Sequence, residues 1–408
     1  MKKGKVGLNM YKLYCRLYQN TFKLVSHFLP WREPQLLTGE NSLSKLPIHL
    51  NSNNIDRVLI VTDKGITSIG LLDEFLKQLK EAGVKYFIYD KTVSNPTIYN
   101  IEDALSLYHE SKCQGIIAFG GGSPIDCAKA VGARVARPKK SISEMKGVLK
   151  VRKKIPPLFA IPTTSGTGSE ATVATVVSNS ETHEKYAIND HALIPQLAVL
   201  DPMLTVKLPP HITSTTGMDA LTHAVEAYIG KSNTEETKQN SREAVQLIFN
   251  NLYESYINGS NINARKNMQK ASYLAGVAFT RAYVGYVHAI AHTLGGFYSV
   301  PHGLANAIIL PYVLEYYGKS AYKPLAELAD LIGISNSSDT DEQKSKKFIE
   351  AIKKLSEDMS IPKKVSCILD KDIPVMVNRA LKEANPLYPV PKIFSKVDMV
   401  QLYQMIKE

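Results

Sequence analysis

The 408-residue sequence holds one tryptophan and only four cysteines. Cys15, Cys113, Cys127 and Cys367 lie far apart and form no C-x-x-C pair. That pattern excludes a disulfide framework or a zinc knuckle and fits reduced thiols in a cytoplasmic protein. Long apolar runs are missing too: none approaches the roughly 18 residues that span a bilayer, so no transmembrane helix is expected. There is no internal repeat and no low-complexity tract. Acidic residues are in deficit, with 38 Asp and Glu against 49 Lys and Arg and a formal charge of +11. The lysines are scattered, however, and the densest cluster, RPKKSISEMKGVLKVRKK at 137–154, reads as one solvated loop. No nucleic-acid partner is expected; a basic surface that draws in an anionic cofactor is.

The N-terminal stretch MYKLYCRLYQNTFKLVSHFLPW lacks an uninterrupted apolar core and a small-residue cleavage site, so a signal peptide is not expected. Leu13, Leu17, Leu24 and Phe28 recur near helical spacing and Pro30 ends the run. The expectation is a helix docked on the body or on a second subunit; a helix lying on a membrane surface is the alternative.

From about residue 57 strand-like and helix-like segments alternate: DRVLIVTD, LLDEFLKQLKEAG, KYFIYD, IEDALSLYHESK, GIIAFGGG, and a helix from Asp126. Such alternation implies a parallel, doubly wound sheet. It runs through PLFAIPTTSGTGSE and LAVLDP and stops near Pro209, beyond which GMDALTHAVEAYIG, REAVQLIFNNLYESY and KFIEAIKKLSEDM read as helices. The expected organisation is an N-terminal extension at 1–34, an α/β domain at 35–208 and an all-α domain at 209–408.

Two glycine-rich turns follow strands. GGGSPIDCAK, 120–129, opens a helix whose N-terminus offers unpaired N–H groups and the positive end of its dipole, a site for pyrophosphate. It matches neither G-x-G-x-x-G nor the P-loop, and simple strand–helix geometry explains it equally well. TTSGTGSE, 163–170, adds five hydroxyls that suit a ribose or a nicotinamide amide. Together the two turns mark the crevice where open α/β sheets bind ligands. Asp63, ending VLIVTD, is placed to accept from a ribose 2′-OH and to repel a 2′-phosphate, favouring NAD over NADP; a helix N-cap is the competing reading.

Beyond the boundary, Asp219 and His223 in GMDALTHAVEAY stand at i and i+4 on one helical face, and His288 and His292 in VHAIAH repeat that relation. His302 follows Pro301 on a separate element. One carboxylate with several imidazoles and no thiolate suits Fe²⁺, Zn²⁺, Mn²⁺ or Co²⁺ and argues against a structural zinc site. With an open position such an ion polarises an alcohol or carbonyl oxygen, and a nicotinamide-type crevice beside it points to metal-assisted hydride transfer.

GGGSPIDCAK, TTSGTGSE, GMDALTHAVEAY and VHAIAHTLGGFYSVPHGLANAIILP closely resemble the signature segments of the iron-containing (group III) alcohol dehydrogenases, in that family's order and spacing over roughly residues 35–400. The resemblance implies an α/β dinucleotide-binding domain of the dehydroquinate-synthase-like kind plus an all-α metal-binding domain, with NAD and Fe²⁺ meeting in the cleft between them. NADP is the less expected cofactor, and Zn²⁺ is the alternative metal. It makes Asp219, His223, His288 and His302 metal ligands and His292 a proton-relay residue. Cofactor contacts carry over to Gly121, Gly122, Ser123 and Asp126, to Thr163, Thr164 and Thr167, and to Asn95, Thr97, Lys185 and Asp63. The implied activity interconverts a small primary alcohol and its aldehyde. The alternatives are a semialdehyde-acid or polyol dehydrogenase, or a non-redox lyase of the dehydroquinate-synthase type. The resemblance also implies a homodimer or larger homo-oligomer in the cytoplasm, with no membrane contact expected. Two features depart from the pattern. The N-terminal extension carries no family role, and TRAYVGYVH places Arg281, Tyr283 and Tyr286 where smaller residues are usual, making them candidate substrate contacts.

Overall fold

The computed structural model describes residues 2–26, 28–29, 31–182 and 184–408, with side chains from Asn9 onward. The chain forms two compact units, one of residues 30–209 with 258–276, the other of 1–29 with 210–257 and 277–408.

Among its described residues the first unit holds nine strands: β1 (Gln35–Thr38), β2 (Arg57–Val61), β3 (Lys85–Tyr89), β4 (Gly115–Gly120), β5 (Gly147–Val148), β6 (Leu158–Pro162), β7 (Ala174–Asn179), β8 (Glu184–Asn189) and β9 (Leu197–Leu200). Six of them make a parallel sheet in the order β1-β9-β6-β4-β2-β3. The expected alternation is observed. With the N-terminal helix described below as α1, the helices that accompany this sheet are α2 (Leu46–Ser52), α3 (Lys64–Ser68), α4 (Asp73–Glu81), α5 (Ile98–Glu110) and α6 (Gly122–Ala136). Both sheet faces are covered, so central strands are apolar on every residue. In β2, Leu59 and Val61 enter one core and Val58 and Ile60 the other; in β4, Ile116 and Ala118 part from Ile117 and Phe119 in the same way.

The sequence reading missed the small sheet β5-β8-β7, whose β7–β8 pair is antiparallel. ATVVSN is buried only at alternate positions, so it carries no continuous apolar run to betray it.

The other unit is helical: α1 (Lys2–Ser26), α7 (Pro210–Ile229), α8 (Glu235–Ile257), α10 (Tyr286–Tyr298), α11 (His302–Tyr317), α12 (Tyr322–Leu331), α13 (Asp341–Asp358), α14 (Ile373–Ala384) and α15 (Lys396–Ile406). The remaining helix, α9 (Ile262–Ala282), contributes residues to both units. From Gly217 onward α7 is buried on all sides. Two glycines allow its close packing. A Cβ on Gly217 would stand 2.2 Å from Leu252 of α8, and one on Gly303 of α11 would stand 2.4 Å from the Thr215 carbonyl oxygen.

The N-terminal helix α1 docks on its own unit, but not through its leucine stripe. Arg16 donates to the Val390 and Pro391 carbonyls at 2.8 and 3.0 Å, and Gln19 to those of Tyr388 and Pro386 at 2.7 and 3.1 Å. Cys15 is buried and Phe22 meets Tyr283 edge to face. Leu13, Leu17, Leu24 and Phe28 point outward.

Under the glycine turn of the α/β unit lies a buried lysine. Lys129 donates to the Thr172 carbonyl and hydroxyl at 2.8 and 2.9 Å and to the Ala174 carbonyl at 2.8 Å. Burial pulls its pKa down to about 8 against the opposing charges of Asp126 and Glu170, and burial lifts Glu170 to about 7. Replacing Lys129 by Met strands three acceptors and two carboxyl groups in the core. It is expected to lower the unfolding free energy by about 3 kcal/mol or more, read from urea unfolding of the α/β unit.

Candidate functional site

In the helical unit the histidines converge. Asp219 and His223 project from α7, His288 from α10 and His302 from the first turn of α11. Asp219 Oδ1 lies 3.8 Å from His288 Nε2, 3.7 Å from His302 Nε2 and 3.9 Å from His223 Nδ1. Ligand atoms of Asp219, His288 and His302 all fall within 4.8 Å of one another. His223 stands outside that tighter triad and lays its ring on Phe279 and His288, with centroids at 4.1 and 4.4 Å. Donors bound to one ion at about 2.1 Å stand roughly 3 to 3.5 Å apart, so only small adjustments separate this arrangement from a coordination shell.

The point of convergence is marked by a side chain. The Asn306 amide nitrogen, buried on α11, donates to Asp219 Oδ1 at 2.6 Å and lies 3.2 Å from both His288 Nε2 and His302 Nε2. A hydrogen-bond donor thus sits where one carboxylate oxygen and two imidazole nitrogens aim their lone pairs. A divalent cation asks for the same geometry, so these residues fit Fe²⁺ or Zn²⁺. The close approach of Gly303 to Thr215 brings α11 near enough to α7 for this convergence.

Behind His288 stands Glu226, which the sequence reading missed. Its Oε2 accepts from His288 Nδ1 at 2.6 Å and from the Gly285 N–H at 2.8 Å, and its Oε1 accepts from the Val287 N–H at 2.9 Å. This carboxylate ties α7 to the start of α10, selects the tautomer of His288 and leaves Nε2 to face the other donors. Burial pushes the Glu226 carboxyl up to about 7, opposed by the N–H groups it accepts. A signal for it existed: Glu226 falls three residues after His223 and seven after Asp219 on the same apolar helix.

His292, one turn beyond His288, stacks on His302 with centroids 5.2 Å apart at 16°. Its Nδ1 lies 2.7 Å from Glu383 Oε1 on α14, which also accepts from the Tyr388 hydroxyl at 2.8 Å. Glu383 lies 91 residues further on, where no local pattern flags it.

The residues expected to meet substrate are placed otherwise. Arg281 forms an ion pair with Glu236. Tyr286 is a core residue, stacked on Phe394, its hydroxyl donating to Asn385 Oδ1 at 3.1 Å and accepting from the Phe394 N–H at 3.1 Å. Tyr283, in a left-handed backbone conformation with φ 64°, packs against Phe22 of α1. Ion pairing and core packing account for all three, so none is carried forward as a substrate contact.

In the α/β unit the expected cofactor residues gather at the carboxyl ends of β2, β4 and β6, where the strand order reverses direction. The Thr163 N–H donates to the Gly120 carbonyl at 3.0 Å, joining the two turns. A Cβ on Gly122 would stand 2.7 Å from Thr167, and one on Gly121 would stand 3.4 Å from Thr164, so the turns touch where glycine is required. Gly121 caps α6, whose first N–H groups, from Gly122 and Ser123, open toward the turn. Asp63 Oδ1 caps α3 by accepting from the Ile66 N–H at 3.1 Å, and its Oδ2 lies beside Gly120. Asn95 donates its N–H to the Ser123 hydroxyl at 3.2 Å and accepts from Lys185 at 2.7 Å. Thr97 closes a capping box with Asn100 at the start of α5. Asp126 turns inward, accepting from the Ser169 hydroxyl at 2.8 Å and the Val176 N–H at 3.2 Å, so it braces the turn from behind.

Comparison with known proteins agrees with this architecture. Residues 34–202 match the family described as iron-containing alcohol dehydrogenase, and residues 213–406 its C-terminal domain. The chain is 39% identical to the 1,3-propanediol dehydrogenase of Klebsiella pneumoniae over 351 residues, covering 85% of this chain and 90% of that one. It is 33% identical to the NAD-dependent methanol dehydrogenase of Bacillus methanolicus over 362 residues, covering 88% and 94%. Among solved structures, the alcohol dehydrogenase of Oenococcus oeni superposes with a TM-score of 0.88 at 35% identity, over 92% of this chain and 98% of that one. With both halves of the chain matched, the chain belongs to the iron-containing alcohol dehydrogenase family.

Proposed function

We propose that this protein is an NAD-dependent dehydrogenase that interconverts a small primary alcohol and its aldehyde and works as a homo-oligomer. The convergence of Asp219, His288 and His302 on one point, with His292 stacked beside them, carries the reading. The names of the Klebsiella and Bacillus relatives support the substrate class and the cofactor.

Asp219, His288 and His302, with His223 beside them, would hold the ion, and Glu226 fixes the tautomer of His288 that leaves its Nε2 free toward them. Bound there, Fe²⁺ would supply Lewis acidity toward the substrate oxygen, and NAD would supply the hydride acceptor. His292, held at Nδ1 by Glu383, takes up the hydroxyl proton at Nε2 and passes it on. Val287, Ala289, Ile290 and Ala291, which precede it on α10, are buried and apolar, so this helix offers little to hold water near the histidines. In the α/β unit the N–H groups of Gly122 and Ser123, with Gly121 beside them, take the pyrophosphate. Thr163, Thr164 and Thr167 serve the nicotinamide side, and Asn95, Thr97 and Lys185 the remainder. Asp63 receives the adenosine ribose. The pairing of Arg281 with Glu236 withdraws the cation that a carboxylate substrate would use, which favours a neutral alcohol.

His288→Ala is expected to lose iron and activity together, whereas His292→Ala keeps full iron content and loses about 10²- to 10⁴-fold in kcat. Metal analysis and anaerobic turnover on the same samples separate the two, and loss of iron from both variants contradicts the division of roles. Glu226→Gln keeps the shape of the side chain but weakens the hold on His288. It should lower metal affinity about 10- to 100-fold in competition with a chromophoric chelator. The reading as a whole is tested anaerobically with a panel of primary alcohols and both nicotinamide cofactors: the wild type should reduce NAD in strong preference to NADP. Asp63→Ser, which retains a helix cap, should narrow that preference about tenfold or more. Absence of NADH formation across the panel overturns the proposal.

A further inference from the structure

Helix α1 docks on its unit through a mixed face and leaves an apolar face turned away from it. Arg16 and Gln19 bond to the unit with Cys15 and Phe22 packed beside them, while the exposed large side chains are apolar. Met10, Tyr14, Leu17, Thr21 and Leu24 follow one another at spacings of four, three, four and three, and Phe28 continues the series in the turn beyond the helix. That is the 3.5-residue period of a helix seam that packs against another helix. Met10 is 67% exposed, Leu17 59%, Leu24 65% and Phe28 80%, with Leu13 beside them at 60%. A monomeric surface rarely leaves so continuous an apolar strip open to water.

We propose that this face of α1 is an interface between two copies of the chain, and that it helps hold the homo-oligomer proposed above, a reading on which it rests. Three observations select a second copy. The period is that of helix–helix packing. The exposed apolar side chains of α1 together offer on the order of 1,000 Å² per chain, which meets the roughly 800 Å² per partner that a stable dimer needs. The charges also fit. Arg16 lies in the docked face, Lys12 and Lys23 come round beside it, and Lys23 Nζ donates to the Lys231 carbonyl at 3.1 Å. Among the described residues of α1, a second copy therefore meets apolar side chains and no like charge. The same placement turns these cations away from whatever the apolar face touches, which disfavours an anionic bilayer, where lysines flank the buried strip and reach the headgroups. An isologous contact about a two-fold axis pairs the strip with itself.

The test is sedimentation velocity of the full-length, iron-loaded protein beside the double variant Leu17→Glu/Leu24→Glu. Both positions are exposed, so the fold should be retained, as circular dichroism and iron content check; Leu17→Ala/Leu24→Ala serves if the first variant fails to fold. The expected result is a wild-type assembly that the variant splits into smaller species, with a dissociation constant raised at least a hundredfold. A wild-type assembly that the variant leaves intact overturns the interface and leaves the oligomer standing. A wild type that sediments as a single 45.2 kDa chain overturns both. Flotation on phosphatidylglycerol vesicles is the third arm. Vesicle binding abolished by the double variant, without a change of mass, assigns the face to a membrane surface and overturns the proposal.

Discussion

The centre of the helical unit depends on one buried carboxylate. Glu226 comes from α7, the helix that also carries Asp219 and His223, and it accepts from two backbone N–H groups and one imidazole at the start of α10. A helix N-terminus leaves its first N–H groups without intrahelical partners, and at α10 a carboxylate from another helix supplies acceptors that a capping side chain of its own would otherwise provide. The same contact sets the angle between the helices that carry Asp219 and His288 and selects the tautomer of His288. Positional and electronic control are therefore not separable here. The position of α10 and the nitrogen that His288 presents follow from a single group, whose burial is tolerated because its oxygens are satisfied.

A similar economy operates in the α/β unit. The glycine turn after β4 needs backbone N–H groups facing outward, which leaves the inner side of the turn to be supported from behind. Asp126 and Lys129, both on α6, supply that support by bonding to Ser169, Thr172, Ala174 and Val176. Polar residues that sit within a binding motif can thus serve the loop's shape more than its ligand. Asp126 shows how a motif read as a string of contacts mixes two kinds of residue.

Much of the fold was legible because its signals are local. β2, β3, β4 and their helices carry the alternation of buried strand and amphipathic helix, and the turn residues fall where the elements end. The Asp219/His223 and His288/His292 pairs were visible because polar groups at helical spacing stand out in apolar surroundings. What escaped was non-local or masked. Glu383 reaches His292 across 91 residues, Asn306 looks like an ordinary helix residue, and β7 with β8 is half-buried and so lacks an apolar run. The leucines of α1 have the right period for a docked stripe, yet periodicity does not say which side of a helix faces its own protein. Arg281 and Tyr286 were singled out for being unusual, and their partners Glu236 and Phe394 lie too far along the chain for any local pattern to flag.

Gly303 stands next to His302 and against the Thr215 carbonyl of the facing helix. Any side chain there would wedge α11 off α7 and move His302 away from Asp219, with no change in a single donor atom. The spacing of the donors is in this sense stored in the backbone. Over evolutionary drift the residues around the site can be exchanged for others of similar chemistry, while the absence of a side chain at position 303 has no substitute. A residue with nothing to coordinate can thereby be as hard to replace as one that does.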